Sequence, residues 1–115
     1  MNKSEINIDP QLIYFTHSRI RPFFTGCGRK IAETLEELEN GQLKIDQLPL
    51  ITVIENQKRY FSLNNRRLYV IKKLREQGKL KDNLIRVRLK KALGREIDRY
   101  NIERCVLSAQ IMGAD

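Results

Sequence analysis

The chain has 115 residues, of which 41% are hydrophobic and 31% are charged, and its formal net charge is +8. This length predicts one domain that buries about two-thirds of the surface exposed by the unfolded chain. No apolar run approaches the roughly 20 residues of a membrane span, and the N-terminus lacks the apolar core of a secretory signal. We therefore expect an intracellular protein, cytoplasmic or nuclear, without membrane contact.

The charge is distributed unevenly along the chain. Residues 1–57 contain 6 Lys and Arg against 8 Asp and Glu, a net charge of −2, whereas residues 58–115 contain 16 against 6, a net charge of +10. A basic half of this kind predicts a polyanionic partner, either nucleic acid or the phosphates of a nucleotide. The alternative is a basic surface without a specific partner. Cys27 and Cys105 are too few and too far apart for a disulfide framework or a zinc site, and Cys105 is expected in the core.

The first quarter of the chain predicts a strand followed by a loop. Residues 12–16 fit a strand, which Arg21-Pro22 ends because proline can neither continue a ladder nor let the residue before it turn helical. In residues 23–28 two glycines flank Cys27 and free the backbone for close approach to a ligand. Cys27 and His17 are candidates for a nucleophile and its base; the alternative is that both are structural.

A helix is predicted from Arg29 or Lys30 to about Asn40, ended by Gly41. Its basic residues come first and its acidic residues last, against the helix dipole. The first turn of such a helix could bind an anion. Alternatively, Arg29 and Lys30 pair with Glu33 and Glu37 one turn later.

The middle of the chain predicts a hairpin and a second helix. Residues 50–54 fit a buried strand, residues 55–58 a four-residue loop, and residues 59–63 the returning strand. The helix runs from Asn65 and closes at Gly78, and either Asn64 or Asn65 can cap it. Two arginines then occupy the first turn, where the dipole is already positive. Positive side chains at a helix N-terminus are electrostatically unfavourable, so we interpret them as a sign of a bound anion. Alternatively, both side chains simply face water.

The last third of the chain begins with a basic strand. Residues 85–90 alternate apolar side chains with Arg86, Arg88 and Lys90, which predicts a strand with one basic face. This face could contact nucleic acid, or its charges could protect an exposed sheet edge from aggregation. Residues 92–100 are ambiguous. Asn101 is expected to cap a final helix whose apolar residues dock on the core; they are Val106, Leu107 and Met112.

The order of these elements over about residues 12–90 resembles the fold shared by sulfiredoxin and the N-terminal domain of ParB. Residues 64–67, Asn-Asn-Arg-Arg, stand where ParB-like proteins carry Gly-Glu-Arg-Arg and sulfiredoxins carry Gly-Cys-His-Arg. Ile20-Arg21-Pro22 resembles the Ile-Arg-Pro of sulfiredoxins. Together with Leu48-Pro49, the segment is also similar to ParB/sulfiredoxin-type domains at the ends of bacterial toxins, which often read Leu-Asp-His-Arg-Arg-Leu.

The resemblance implies an α+β domain with a small mixed sheet and about three helices, followed by a C-terminal helical extension over residues 91–115. It also implies a nucleotide or nucleic-acid phosphate bound at the arginines. The ligand would be ATP, ADP or CTP, with Mg²⁺ as a companion ion. Two departures matter. Asn65 replaces the sulfiredoxin cysteine and cannot attack a phosphoryl group. The glutamate of ParB is also absent, which weakens the case for metal-assisted hydrolysis.

Three hypotheses follow. The protein is a phosphate-binding module, an enzyme that transfers or cleaves phosphate in the same pocket as a nuclease or kinase, or a basic nucleic-acid-binding protein without catalysis. The predicted phosphate ligands are Asn64, Asn65, Arg66, Arg67, Arg21 and Arg29. No cluster of carboxylates or histidines predicts a catalytic metal.

Overall fold

The computed structural model describes residues 4–24 and 28–113. Its strands are β1 (Glu5–Ile8), β2 (Ile13–Tyr14), β3 (Arg19–Ile20), β4 (Thr52–Asn56), β5 (Arg59–Ser62), β6 (Ile85–Lys91) and β7 (Gln110–Ile111). Its α-helices are α1 (Ile31–Asn40), α2 (Asn65–Glu76) and α3 (Arg95–Arg99). Five strands form a mixed sheet in the order β1-β6-β4-β5-β2, and β3 pairs with β7 in a separate parallel pair. The predicted α+β class, with a small mixed sheet and three helices, is confirmed.

Helices α1 and α2 supply the residues that complete the main hydrophobic core. Val53 of β4 and Val87 of β6 are fully buried there, together with Leu68 of α2 and Ile31 of α1. The buried residues of α2 recur at helical spacing, as its sequence predicts. Strand side chains alternate between the two faces of a sheet. The neighbours of Val53 and Val87 therefore project from the opposite face.

The segment that follows β6 covers half of that opposite face. Ile54 and Phe61 lie in register on β4 and β5 and are 0% and 1% exposed. The carboxamide Nδ2 of Asn56 donates to the carbonyls of Ile97 and Tyr100 at 3.0 and 2.9 Å, which fastens α3 to the sheet. The other half, formed by the outward side chains of β6 and by β1, is uncovered in the described part of the chain. We call it the open half.

Several sequence-based boundaries were wrong. The first strand is shorter than residues 12–16, and β1, which pairs with β6, was not predicted at all. The hairpin turn has two residues rather than four. Gln57 and Lys58 adopt φ angles of 51° and 63°. Positive φ at both central positions is the geometry that matches the twist of a tight hairpin.

The edge-protection interpretation of the basic strand was also wrong, because β6 lies between β1 and β4. On its basic face Arg86 and Arg88 are exposed because no element of the described chain covers them, not because the strand is at an edge. Lys90 contacts Glu96 of α3. A polyanion could therefore reach these charges across the face of the sheet.

The prediction of a final helix after Asn101 was also wrong. The Oδ1 of Asn101 accepts from the amides of Glu103 and Arg104 at 3.0 and 3.1 Å, so it caps a single turn. The chain is then extended, and Val106 pairs with Phe15 and packs on the core. Two further apolar residues do not dock as predicted. Leu107 is 47% exposed and Met112 is 41% exposed.

Within the described ranges, no helix has both the length and the apolar character needed to cross a bilayer. Cys105 is 5% exposed, as expected of a core residue, and its burial raises the pKa of the thiol.

Helix α2 carries a buried lysine that fastens the C-terminal segment. Lys72 is 9% exposed, and its Nζ donates to the carbonyl of Leu107 at 2.6 Å. The same nitrogen lies 5.0 Å from the centroid of the Phe15 ring. Burial lowers the pKa of Lys72 from 10.5 to about 8, against the opposing effect of Glu76 and Asp9.

We predict that Lys72 makes stability rise between about pH 8 and pH 10.5. In this window the folded protein has released the Lys72 proton while the unfolded chain still holds it, so the free energy of unfolding increases with pH. Urea denaturation at pH 7.5 and pH 10 should show that Lys72→Met lacks this rise. Lys73→Met is the control, because 39% of the Lys73 side chain is exposed. Equal pH dependence in wild type and Lys72→Met would contradict the prediction.

Candidate anion-binding site

The Asn-Asn-Arg-Arg segment, residues 64–67, lies where β5 passes into α2. Asn64 occupies the N-cap position, and α2 begins at Asn65. The amide of Leu68 donates to the carbonyl of Asn64 at 3.0 Å, which is the first hydrogen bond of the helix. The predicted change from strand to helix at this point is confirmed.

Asn64 is the N-cap residue, one of the two predicted, but its side chain makes no capping hydrogen bond. Its Oδ1 accepts from the backbone amide of Thr52 at 2.8 Å, at the start of β4. Its own backbone amide donates to the hydroxyl of the buried Ser62 at 2.9 Å. Asn64 therefore attaches the end of β5 to the neighbouring strand.

The side chain of Asn65 makes a second attachment of the same kind. Its Oδ1 accepts from the backbone amide of Thr16 at 3.1 Å, and its Nδ2 donates to the hydroxyl of Thr16 at 2.8 Å. That hydroxyl in turn donates to the carbonyl of Ser62 at 3.2 Å. Both carboxamides thus hold the backbone around the site, and these bonds would compete with their predicted contacts to a phosphate.

Arg67 makes structural hydrogen bonds and carries a partly buried positive charge. Its Nη1 donates to the carbonyls of Pro49 and Leu50, both at 2.9 Å. Burial lowers the pKa of Arg67, and repulsion from the charge of Arg88 lowers it further. The guanidinium carries additional N–H donors on Nε and Nη2. Arg67 can therefore hold the chain before β4 and still present donors to an anion.

A cleft of about 760 Å³ opens beside the Asn-Asn-Arg-Arg segment. It is lined by Thr16, His17, Arg19, Ile20, Arg21, Phe24, Leu63, Asn64, Asn65, Arg66, Arg67, Tyr100 and Met112. Four of these lining residues are arginines, and no described lining residue is an aspartate or a glutamate. Such a set of side chains favours an anion, and the planar fork of a guanidinium matches two oxygens of a phosphate.

Apolar and aromatic side chains form another part of the lining. Phe24, Tyr100 and Met112 supply surfaces on which a flat ring could pack. Sequence reasoning missed Arg19, Tyr100 and Met112 as members of the site. The spacing of Arg19 and Arg21 on an extended segment could have indicated that both face one way. Tyr100 and Met112 gave no such signal.

The remaining candidates lie elsewhere or outside the described residues. The Nη2 of Arg29 lies 2.7 Å from Oε2 of Glu37, one of the two glutamates that the alternative interpretation named, although Glu37 is about two helical turns away rather than one. Arg29 is not in the lining of the cleft. His17 lines the cleft and is exposed. Cys27 falls in residues 25–27, outside the described part of the chain. The geometry of a Cys–His pair is therefore not described.

The basic residues of β6 lie on the open half, not in the cleft. The Nη1 of Arg86 is 3.9 Å from Oε1 of Glu5, and the Nζ of Lys90 is 3.2 Å from Oε2 of Glu96. Arg88, between them, is exposed.

Among residues 4–24 and 28–113, no group of three or more His, Cys, Asp or Glu side chains could hold a metal ion. The chain matches no protein-family model, and neither a curated protein nor a solved structure is significantly similar to it. The resemblance to ParB and sulfiredoxin stays a prediction.

We predict that Arg67→Ala lowers the free energy of unfolding by roughly 1–2 kcal/mol without any ligand, because two carbonyls lose a charged donor. Arg67→Lys should recover part of this loss, since an ammonium group can reach only some of the same geometry. Urea denaturation of the ligand-free variants measures the effect. Lys73→Ala, which removes an exposed charge from the same helix, is the control. Unchanged stability in Arg67→Ala would show that these two hydrogen bonds are not structural.

Proposed function

We propose that the protein binds a phosphate-bearing ligand, a nucleotide or a nucleic acid, in the cleft beside the Asn-Asn-Arg-Arg segment. The observation that carries the proposal is the meeting of Arg19, Arg21, Arg66 and Arg67 in one cleft whose described lining has no carboxylate. Charges of one sign in a concave site repel one another and concentrate the field on an incoming anion. Binding an anion there relieves this repulsion.

The position of α2 adds a second attraction. Arg66 and Arg67 lie in the first turn of this helix, where the dipole already supplies partial positive charge. A phosphate at a helix N-terminus reverses the sign of that interaction from repulsive to attractive. The arginines, which are unfavourable in a ligand-free helix, become favourable once the anion is bound.

The size and lining of the cleft favour a nucleotide over inorganic phosphate. Its volume of about 760 Å³ falls within the usual range of small-molecule sites, roughly 300–1,000 Å³. Tyr100 and Phe24 offer aromatic surfaces for a base, and the arginines offer donors for phosphates. The resemblance of residues 12–90 to the ParB and sulfiredoxin domains leads to the same ligand class and the same segment. We assign ATP, ADP or CTP, with Mg²⁺, as the ligands to test first.

A second candidate function is phosphoryl transfer or nuclease activity in the same cleft. The specific observation behind it is that His17 lines the cleft, since an imidazole is the commonest general acid–base group in enzymes. Asn65 supplies no nucleophile. With the described lining residues alone, a reaction would use water or a ligand hydroxyl as the attacking group, with His17 as base. Cys27, the nucleophile that the sequence also predicts, lies outside the described part of the chain.

The test is calorimetric titration of ATP, CTP and inorganic phosphate, with and without Mg²⁺. We expect Arg66→Ala to weaken nucleotide binding by about tenfold to a hundredfold, the range of one charged hydrogen bond. Arg66→Lys should also weaken binding, although the charge is kept. Arg21→Ala should behave like Arg66→Ala, and Lys58→Ala, at the hairpin turn, should not. Thermal unfolding of each variant shows whether it is folded.

Two results would count against the proposal. One is the absence of binding by any of these ligands, and the other is unchanged affinity in both Arg21→Ala and Arg66→Ala. The enzyme hypothesis is tested separately, by measuring turnover. Turnover of nucleotide or oligonucleotide should disappear in His17→Gln while the dissociation constant stays the same.

A further inference from the structure

We propose that the ligand is a single-stranded nucleic acid whose backbone leaves the cleft past Arg67 and continues over Arg88 and Arg86 on the open half of the sheet. This inference rests on the proposed function, and it narrows the ligand from any nucleotide to a polymer. It joins two groups of basic residues that lie far apart in the sequence.

The connection between the two groups is short. The Nη1 of Arg67 donates to the carbonyl of Leu50 at 2.9 Å. The next carbonyl along the chain, that of Ile51, accepts from the backbone amide of Arg88 at 2.9 Å. Arg88 also stands in register with Thr52 at the start of β4. Arg67 and Arg88 are thus attached to adjacent residues of one segment, and the repulsion that Arg88 exerts on Arg67 agrees with this geometry.

The basic surface continues along β6 beyond Arg88. Arg86 lies two residues away on the same face, about 6.6 Å along the strand, and its side chain is 63% exposed. Glu5 is the opposing charge, because it stands in register with Arg88 and lies 3.9 Å from Arg86. The Arg86 side chain is largely exposed and that of Glu5 is 26% exposed, and a partly exposed ion pair at this distance contributes little, so a phosphate can replace Glu5 as the partner of Arg86. The surface therefore stays positive for a strand that crosses it.

The cleft itself favours nucleic acid over an acidic peptide. Tyr100 and Phe24 line it beside the arginines. Proteins that bind single strands combine a basic groove with aromatic side chains on which bases stack. An acidic peptide would use the charges but gain nothing specific from the aromatic surfaces. A mononucleotide would use the cleft and leave Arg88 and Arg86 without a role.

The test is the dependence of affinity on the length of the ligand. Thymidine monophosphate and oligothymidylates of 2 to 12 nucleotides compete with a labelled oligonucleotide, measured by fluorescence anisotropy at several salt concentrations. We expect affinity to rise with length and then level off once the cleft and open half are occupied. Arg88→Ala should weaken the long ligands about threefold to fivefold, the contribution of one exposed charge. It should weaken the mononucleotide less, because Arg88 is not in the lining of the cleft and acts there only through its charge. The log–log salt slope should fall by about 0.7 for each lost phosphate contact.

Arg88→Glu should enlarge the effect, and Arg86→Ala should repeat it on a second residue. Lys58→Glu is the matched control, because it reverses a charge at the hairpin turn, which is at the far end of β4 from Thr52. Circular dichroism and thermal unfolding identify any variant that loses its fold.

The outcomes separate the two proposals. If mononucleotide and long oligonucleotide bind equally tightly, or if Arg88→Ala and Arg86→Ala have no effect on either, the inference is wrong while the proposed function stands. If polyglutamate of equal charge competes as well as the oligonucleotide, the partner is an acidic peptide and the inference is overturned. If no phosphate-bearing ligand binds at low salt, the proposed function fails and the inference fails with it.

Discussion

The arrangement of the candidate site depends on two carboxamide groups that hold the end of β5 against its neighbours. Asn64 accepts from the backbone amide of Thr52, and Asn65 accepts from that of Thr16 and donates to its hydroxyl. An amide side chain suits this task because it offers both an acceptor and donors within a short reach. These bonds fix where α2 begins, and with it the position of Arg66 and Arg67. An asparagine committed to the sheet in this way is not used to cap the helix, so the first turn of α2 stays available to an external anion.

Arg67 both stabilises the fold and lines the candidate site. Its Nη1 holds the carbonyls of Pro49 and Leu50, which fixes the entry to β4, while its charge contributes to the cleft. Its lowered pKa has the cause expected of such a position: a guanidinium partly removed from water and close to another, that of Arg88. Loss of binding in an Arg67 variant would be ambiguous for this reason. Arg21, which also lines the cleft and lies outside α2, separates binding from stability more cleanly.

The sequence predicted the secondary-structure elements that are specified by signals within the element or next to it. Helices α1 and α2 lie within two residues of their predicted bounds, because amphipathic spacing and a following glycine are both local signals. Strand β1 was missed because its partner β6 follows it by about eighty residues and its own pattern is short. The final helix was wrong because the extended chain after Asn101 pairs Val106 with Phe15, a contact that no local pattern shows. In the cleft, the Asn-Asn-Arg-Arg segment was predicted but Tyr100 was not, because only the fold brings α3 to that place.

The distribution of charge around the candidate site differs from its distribution along the chain. The half of the sequence with net charge −2 supplies two of the four arginines of the cleft, Arg19 and Arg21. Two acidic residues of that half make contacts outside the cleft. On α1, Glu37 pairs with Arg29, and the Oε2 of Glu39 accepts from Gln77 of the neighbouring helix. Counting charges by halves predicted a polyanionic partner for the C-terminal half, whereas Arg21 was predicted from its motif and Arg19 was not predicted. The fold instead gathers basic residues from both halves around one cleft and leaves the carboxylates of α1 to neutral and basic neighbours outside it. A phosphate in this cleft would lie among arginines from both halves of the chain, beside the first turn of α2.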